Sequence, residues 1–354
     1  MSLATLLGIE LPLLQAPMAG VQGSRLAVAV SQAGGLGALP CAMLSADAVR
    51  AEVAAIRAQT EAPFNLNFFC HAPPQPDPAR EAAWRLRLTA DYARFGLDPN
   101  AFPPGAGRRP FDADLLALVR ELRPPVVSFH FGLPDEALLA PLREWGCKLL
   151  SSATTVEEAR WLEARGVDAI IAQGLEAGGH RGLFLTDDLT TQSGTFSLLP
   201  QIVAAVRCPV IAAGGIADAA GVAAAMALGA AGVQIGTAFL LCPEADTGPL
   251  HRAALQSPAA THTALTNVFT GRPARGIVNH AMRTLGPIAD DAPAFPLASA
   301  AMAPLRQAAE ARGSDDYSPL WAGQNVSGAR SVPAAQRVWD LARGFGSQEP
   351  PCLV

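Results

Sequence analysis

One pattern recurs along the chain: an alanine-rich helical stretch, a glycine that can end it, and a short apolar run. It reads LAVAVSQAGGLGALP at 26–40, PLREWGCKLLSSA at 141–153, EEARWLEARGVDAIIAQG at 157–174 and VAAAMALGAAGVQIGT at 222–237. Glycine just past a helix supplies the left-handed conformation that stops it. The runs that follow are apolar at nearly every position, the pattern of strands buried on both faces in a parallel sheet. Further strands are expected at LPLLQAP (11–17), FNLNFF (64–69), VVSFHF (126–131) and CPVIAAGG (208–215). With the run near Leu36–Pro40, about eight β units fall within the first 240 residues, which predicts an α/β fold of the (β/α)8 TIM-barrel type. Strand count alone leaves a doubly wound open sheet as the alternative.

Composition agrees with strands shielded by helices. Half of the 354 residues are apolar and 16% are charged, against roughly 25% charged in an average soluble domain. The net charge of −5, with no long basic run, argues against nucleic acid or anionic membrane as partners. The opening MSLATLLGIELPLLQAPM lacks a basic leader and is interrupted by Glu10 and Pro12, so no signal peptide is expected. No run approaches the ~18 uninterrupted apolar residues of a membrane span. Cys41, Cys70, Cys147, Cys208, Cys242 and Cys352 are scattered without a C-x-x-C and read as reduced thiols, which makes the cytoplasm the expected compartment.

Two regions depart from the rhythm. Residues 72–110 carry Pro/Gly clusters around one amphipathic helix (79–95) and read as an insertion after the third strand. Beyond Leu241 the helices GPLHRAAL, ASAAMAPLRQAAEA and VPAAQRVWDLA are joined by irregular segments. The expected organisation is a barrel over 1–240, a smaller, mainly helical region over 241–330 beside its mouth, and a helix with a tail over 331–354.

In barrels, function collects at the carboxyl ends of the strands. There the chain places Ala16-Pro17-Met18, then Asn67, then Ser128 and His130 on one face of the fourth strand, then Gln173. The seventh strand ends in Gly214-Gly215 and the eighth in Gln234-Ile235-Gly236-Thr237. Glycine turns after these last two strands are where such barrels bind phosphate, through bare backbone N–H groups and helix N-termini. Without a G-x-G-x-x-G, the pattern favours a mononucleotide with one terminal phosphate. The ring of a flavin mononucleotide (FMN) would also need paired polar edges. Asn67 and Gln173 could supply them, with Ala16–Met18 alongside the ring. Asp218 is expected to be the N-cap of the following helix.

Six histidines are present, none at a metal-ligand spacing. His180, in IAQGLEAGGHRGL at 171–183, and His130 stand at predicted strand ends, where imidazole can act as acid, base or hydrogen-bond donor. His71, His251, His262 and His280 read as surface or structural residues. The pairs Asp187-Asp188 and Asp315-Asp316 read as solvated or capping.

The segments QAPMAG (15–20), SFHFGLP (128–134), IAQGLEAGGHRG (171–182) and VIAAGGIAD (210–218) resemble, in order and spacing, the class I nitronate monooxygenase family. TNVFTGRPARGIVN (266–279) and SPLWAGQ (318–324) extend the likeness. The resemblance implies a TIM barrel that binds FMN and uses O2 to oxidise alkyl nitronates, such as propionate 3-nitronate, to a carbonyl compound plus nitrite. It implies that His180 is the active-site base or nitronate-binding group, and that His130 orients the substrate. By the same resemblance, Asn67, Gln173, Gly178, Gly215 and Gln234–Thr237 contact FMN, with Ala16–Met18 beside the ring. Arg181 could assist the anion or pair with Glu176. An aromatic lid would draw on Tyr317 or on phenylalanines. A monomer or homodimer is expected. Two other readings stay open: an NAD(P)H-dependent FMN reductase of quinones or enoyl thioesters on the same barrel, and a flavin-binding sensor.

Overall fold

The apolar runs become strands β1 (Leu13–Gln15), β2 (Gly37–Pro40), β3 (Phe64–Phe69), β4 (Val126–His130), β5 (Lys148–Ala153) and β6 (Ala169–Gln173). After a two-residue strand β7 (Gly179–His180) come β8 (Val210–Ala213) and β9 (Gly232–Ile235). The structure, a computed structural model, describes residues 1–98 and 108–346. All of these strands except β7 pair in parallel, in the order β1-β9-β8-β6-β5-β4-β3-β2. The outer two then meet through a bridge between Leu14 and Leu36, where Leu36 N donates to the Leu13 carbonyl and Gln15 N to the Leu36 carbonyl, each at 2.9 Å. An eight-stranded parallel sheet that meets itself is the (β/α)8 barrel, and the open doubly wound sheet is excluded.

Strand alternation sorts the side chains. Leu66, Phe68, Val127, Phe129 and Leu149 point outward and pack with Val49, Val53, Leu118 and Leu142 of the surrounding helices. Leu14, Val126, Leu150, Ile171 and Ile211 point inward and are closed off by Leu3, Leu7 and Ile9. Burying each side chain of this size stabilises the fold by about 1.5–3 kcal/mol. A short helix (Leu3–Leu7), N-capped by Ser2, plugs the amino end of the barrel. At Gly232 an added Cβ would stand 2.5 Å from both Leu3 Cδ2 and the Pro12 oxygen, so only glycine lets the plug seat. The polar residues of the barrel interior are thereby left at its carboxyl end.

The insertion differs from its expected form. Two helices, Pro78–Arg87 and Thr89–Phe95, replace one, because the chain turns at Leu88 (φ −85°, ψ 2°). Trp84, Leu88 and Tyr92 all bury against Ala301, Met302 and Leu305 of the helix Ala298–Glu310. The expected insertion also covers 99–107, which lie outside the described residues.

Beyond Leu241, helices form at Pro249–Gln256, Ala298–Glu310 and Ala334–Ala342, as the apolar spacing predicts. The last of these returns to the barrel, where Ala334, Val338 and Leu341 join Leu26 and Val30 in one core. The region also contains a sheet that the sequence reading lacks. Strands β10 (Thr263–Thr266) and β11 (Ala274–Ile277) pair antiparallel, and β11 takes β7 on its other edge. Four-residue strands are too short to show a period, and β7 exists only because β11 reaches it. The C-terminal tail after 346, with Cys352, lies outside the described residues. Cys41, Cys70, Cys147, Cys208 and Cys242 are free thiols.

Candidate active site

A cavity opens at the carboxyl end of the barrel. Ala16, Pro17, Met18, Asn67, His130, Gln173, Gly178, His180, Gly214, Gly215, Gln234, Ile235, Gly236 and Thr237 all line it. The positions singled out in the sequence therefore converge on one place.

Two ends of the cavity differ in chemistry. At one end, Gly214 (φ 116°) and Gly215 (φ 75°) turn the chain out of β8 in conformations closed to most side chains. Asp218 accepts from Gly221 N at 2.8 Å and caps the helix Ala219–Ala227, as expected. A Cβ on Gly178 would lie 2.5 Å from Gly323 N, so backbone packs directly on backbone there. Gly323 N donates to Thr237 Oγ1 at 2.9 Å. This end offers peptide N–H groups and a hydroxyl to a ligand, with Glu176, Ile216 and Asn325 also in its lining.

The middle of the cavity is built from amides. Asn67 Nδ2 donates to Ser128 Oγ (2.9 Å) and to the Ser128 carbonyl (3.3 Å), which uses both amide protons and leaves Oδ1 as an acceptor. The segment Ala16–Met18 is held by a glutamine pair: Gln15 Nε2 donates to Gln22 Oε1 (2.7 Å), which also accepts from Met18 N (3.0 Å). Gln15 and Gln22 escaped the sequence reading. Their only signal was two glutamines flanking the QAPMAG turn.

The opposite end centres on His180. Its carbonyl accepts from Gln173 Nε2 (2.9 Å) and lies 3.1 Å from His130 Nε2. A carbonyl only accepts, so His130 carries its proton on Nε2 and takes the Ser152 hydroxyl (2.9 Å) on Nδ1. His130 was expected to orient the substrate. Both of its nitrogens are instead engaged by the protein, and it holds the backbone of β7 in place. His180 Nε2 meets Thr270 Oγ1 at 2.9 Å, whereas Nδ1 has no hydrogen bond to a described residue and opens to the cavity.

Arg181 supports this end from behind. It is 0% exposed and donates to the carbonyls of Gly174 (2.6 Å) and Gln173 (2.8 Å) and to Gln192 Oε1 (2.9 Å). It makes no ion pair with Glu176. Glu176 accepts instead from Thr195 N and Oγ1, each at 2.8 Å, at the start of the helix Thr195–Ala205. The negative carboxylate there suits the positive helix end.

The wall around His180 is aromatic. Phe295 and Trp321 stand 5.3 and 5.5 Å from its ring, and Phe69 and Phe131 6.4 and 6.1 Å away. Tyr317 and Tyr92 take no part: both are buried, with their hydroxyls on Asp91 and the Ala301 carbonyl. Trp321, Phe295, Thr270 and Arg108 were missed in sequence, since each comes from a segment without periodicity. His71 lies inside this aromatic group, 4.8 Å from Phe295, and His251 lines the cavity near Trp321, so neither is a surface residue.

Burial makes these histidines poor bases toward bulk protons. Desolvation, reinforced by Arg108, His130, Arg272 and His71, holds His180 well below the ordinary histidine value. Burial likewise holds His71, His130 and His251 at about 4. An unfolded chain protonates the same rings near 6.5. Between pH ~6.5 and ~4 the unfolded state therefore binds more protons, and stability falls as pH falls. The melting temperature is expected to hold near neutrality and to drop steadily from pH 6.5 to 4.5. Calorimetry across that window checks it, and a flat profile would contradict neutral burial.

A plugged parallel barrel whose open end gathers a backbone-lined pocket, paired amides and a desolvated imidazole defines a barrel enzyme with a small-molecule site. Comparison with known proteins narrows the class. The nitronate monooxygenase family profile matches residues 1–344. The nitronate monooxygenase of Paraburkholderia phytofirmans is 45% identical over 346 residues, 97% of this chain and 94% of that protein. That of Pseudomonas aeruginosa is 44% identical over 337 residues, 94% of this chain and 95% of that protein. The solved nitroalkane oxidase of Streptomyces ansochromogenes superposes with a TM-score of 0.88 at 41% identity, covering 98% of both chains. The chain belongs to the nitronate monooxygenase family, oxidoreductases that act on nitronates. Among the described residues no helix is long and apolar enough to cross a membrane.

Proposed function

We propose that this chain is an FMN-dependent nitronate monooxygenase that uses O2 to convert alkyl nitronates to a carbonyl compound and nitrite. The observation that carries the reading is His180: a neutral imidazole whose one unpartnered nitrogen opens to the cavity where Phe69 and Trp321 line it.

The residues present fit FMN. The glycine turns at 214–215 and 236 leave backbone bare where a phosphate would sit, and a Cβ at Gly214 would come within 3.0 Å of Ala177 N and Thr195 Oγ1. Asn67 Oδ1 is an open acceptor for a ring N–H, and Gln173 has a second amide proton to donate. When bound, FMN would supply the one-electron chemistry that links the nitronate to O2.

The chain's own residues bind and orient. His180 Nδ1 takes the α-proton of a neutral nitroalkane, or carries a proton to hold a nitronate that arrives already ionised. Phe69 and Trp321, which line the cavity beside His180 and are packed near Phe131 and Phe295, keep water from the reacting carbon. His130 and Gln173 fix the His180 backbone from below.

The test is oxygen consumption by the purified yellow protein. Propionate 3-nitronate alone is expected to drive O2 uptake with release of nitrite, while NADH under anaerobic conditions leaves the flavin oxidised. Bleaching by NADH without nitronate turnover would assign the chain to the FMN reductases. Flavin without either reaction would make it a sensor.

A further inference from the structure

We infer that Thr270 is a positioning residue that fixes His180 as its Nε2–H tautomer and so keeps an unprotonated Nδ1 toward the substrate. The inference rests on the reading of His180 given above. Thr270 Oγ1 is 2.9 Å from His180 Nε2 and donates to the Arg272 carbonyl at 3.3 Å. A hydroxyl has one proton, and a carbonyl can only accept it. With that proton committed, the oxygen faces the ring as an acceptor, and the ring proton belongs on Nε2. Thr270 is 4% exposed, so water does not compete for either bond.

The hydroxyl is itself held rigidly. It stands in the turn between β10 and β11, where Gly271 N donates to the Asn267 carbonyl at 2.7 Å. The Asn267 side chain donates to the Ala289 carbonyl and accepts from Ala289 N, both at 2.9 Å. At Gly271 (φ 88°) an added Cβ would lie 2.0 Å from the Pro293 oxygen. The turn is thus locked on two sides, and His180 is fixed by β7 pairing on β11, with His180 opposite Ala274. Two strands of one small sheet set the distance between ring and hydroxyl.

The consequence differs for two substrates. With a neutral nitroalkane, the α-C–H bond breaks, its proton forms a bond to Nδ1, and the electron pair moves onto the nitro group. This step needs a lone pair on Nδ1. A nitronate has already lost that proton and does not need the step. Thr270→Val keeps the shape and removes the hydroxyl, whereas Thr270→Ser keeps the hydroxyl.

Two readouts decide the matter. Protein labelled with 15N-histidine, with His180 assigned by its absence in His180→Asn, is expected to show the Nε2–H tautomer in the wild type and in Thr270→Ser. Thr270→Val is expected to show mixed tautomers. In kinetics, Thr270→Val is expected to lose about ten- to hundredfold in kcat/KM for nitroethane, to lose much less for its nitronate, and to be rescued by serine. An Nδ1–H tautomer in the wild type, or an unchanged tautomer in Thr270→Val, overturns the inference. Equal losses for both substrates that serine fails to restore would also overturn it. If no variant and no wild-type protein turns over either substrate, the functional reading fails, and the nitrogen spectra still decide the role of Thr270.

Discussion

Replacing His180 by asparagine is expected to lower kcat/KM for a neutral nitroalkane by about 10²–10⁴-fold, the usual contribution of a positioned general base. The loss should fall mainly on substrates that must be deprotonated, because the nitronate needs only to be held. Asparagine is smaller than histidine, and the backbone contacts of residue 180 remain: Gln173 and His130 reach its carbonyl, and β7 pairs with Ala274 and Arg275. Flavin content and melting temperature should therefore stay close to wild type. Oxygen uptake with nitroethane and with its preformed nitronate separates the two effects, and a nitroalkane rate within threefold of wild type would remove His180 from the role of base. Since burial holds this ring well below the ordinary histidine value, the acid limb of the wild-type nitroalkane profile should lie below pH 6.5.

The second large effect is structural. Arg181→Met is expected to destabilise the protein by at least about 3 kcal/mol and to empty it of flavin. The guanidinium is completely buried and bonded to the Gln173 and Gly174 carbonyls and to Gln192. Hydrogen bonds from a charged group contribute about 1.5–3 kcal/mol each, and the acceptors left behind are buried and unsatisfied. Desolvation lowers the Arg181 guanidinium to about 10, which still leaves it charged at neutral pH. Removing it releases the end of β6, so Gln173 and then the β7 backbone lose their positions. Thermal denaturation and flavin absorbance after desalting measure both results. A variant that keeps its flavin and melts within a degree or two of wild type would show that Arg181 is dispensable.

How far the sequence could be read depended on the length of each signal. The barrel strands were legible because two-sided burial makes them continuously apolar, and because glycines such as Gly166 (φ 72°) and Gly229 (φ 95°) end the helices before them. The floor of the site was legible for a related reason. Residues at the carboxyl ends of successive strands must meet, so Asn67, Gln173, Gly215 and Thr237 could be placed together before any coordinate was known. The single helix expected at 79–95 became two, since periodicity alone does not show where burial against another helix bends the chain.

His130 marks the boundary of that reading. Its position on the active face follows from strand alternation, but its role depends on which atoms lie near its two nitrogens. Those are Ser152, one strand away, and the carbonyl of His180. The same holds for Arg181, for Thr270, and for the aromatic wall of Phe295 and Trp321. Sequence by itself determined the barrel, the end at which chemistry occurs and the residue types available there, because these follow from local periodicity and a regular topology. Tertiary structure alone decided which nitrogen of His180 is free, because that depends on proton counts in hydrogen bonds between segments remote from one another in the chain.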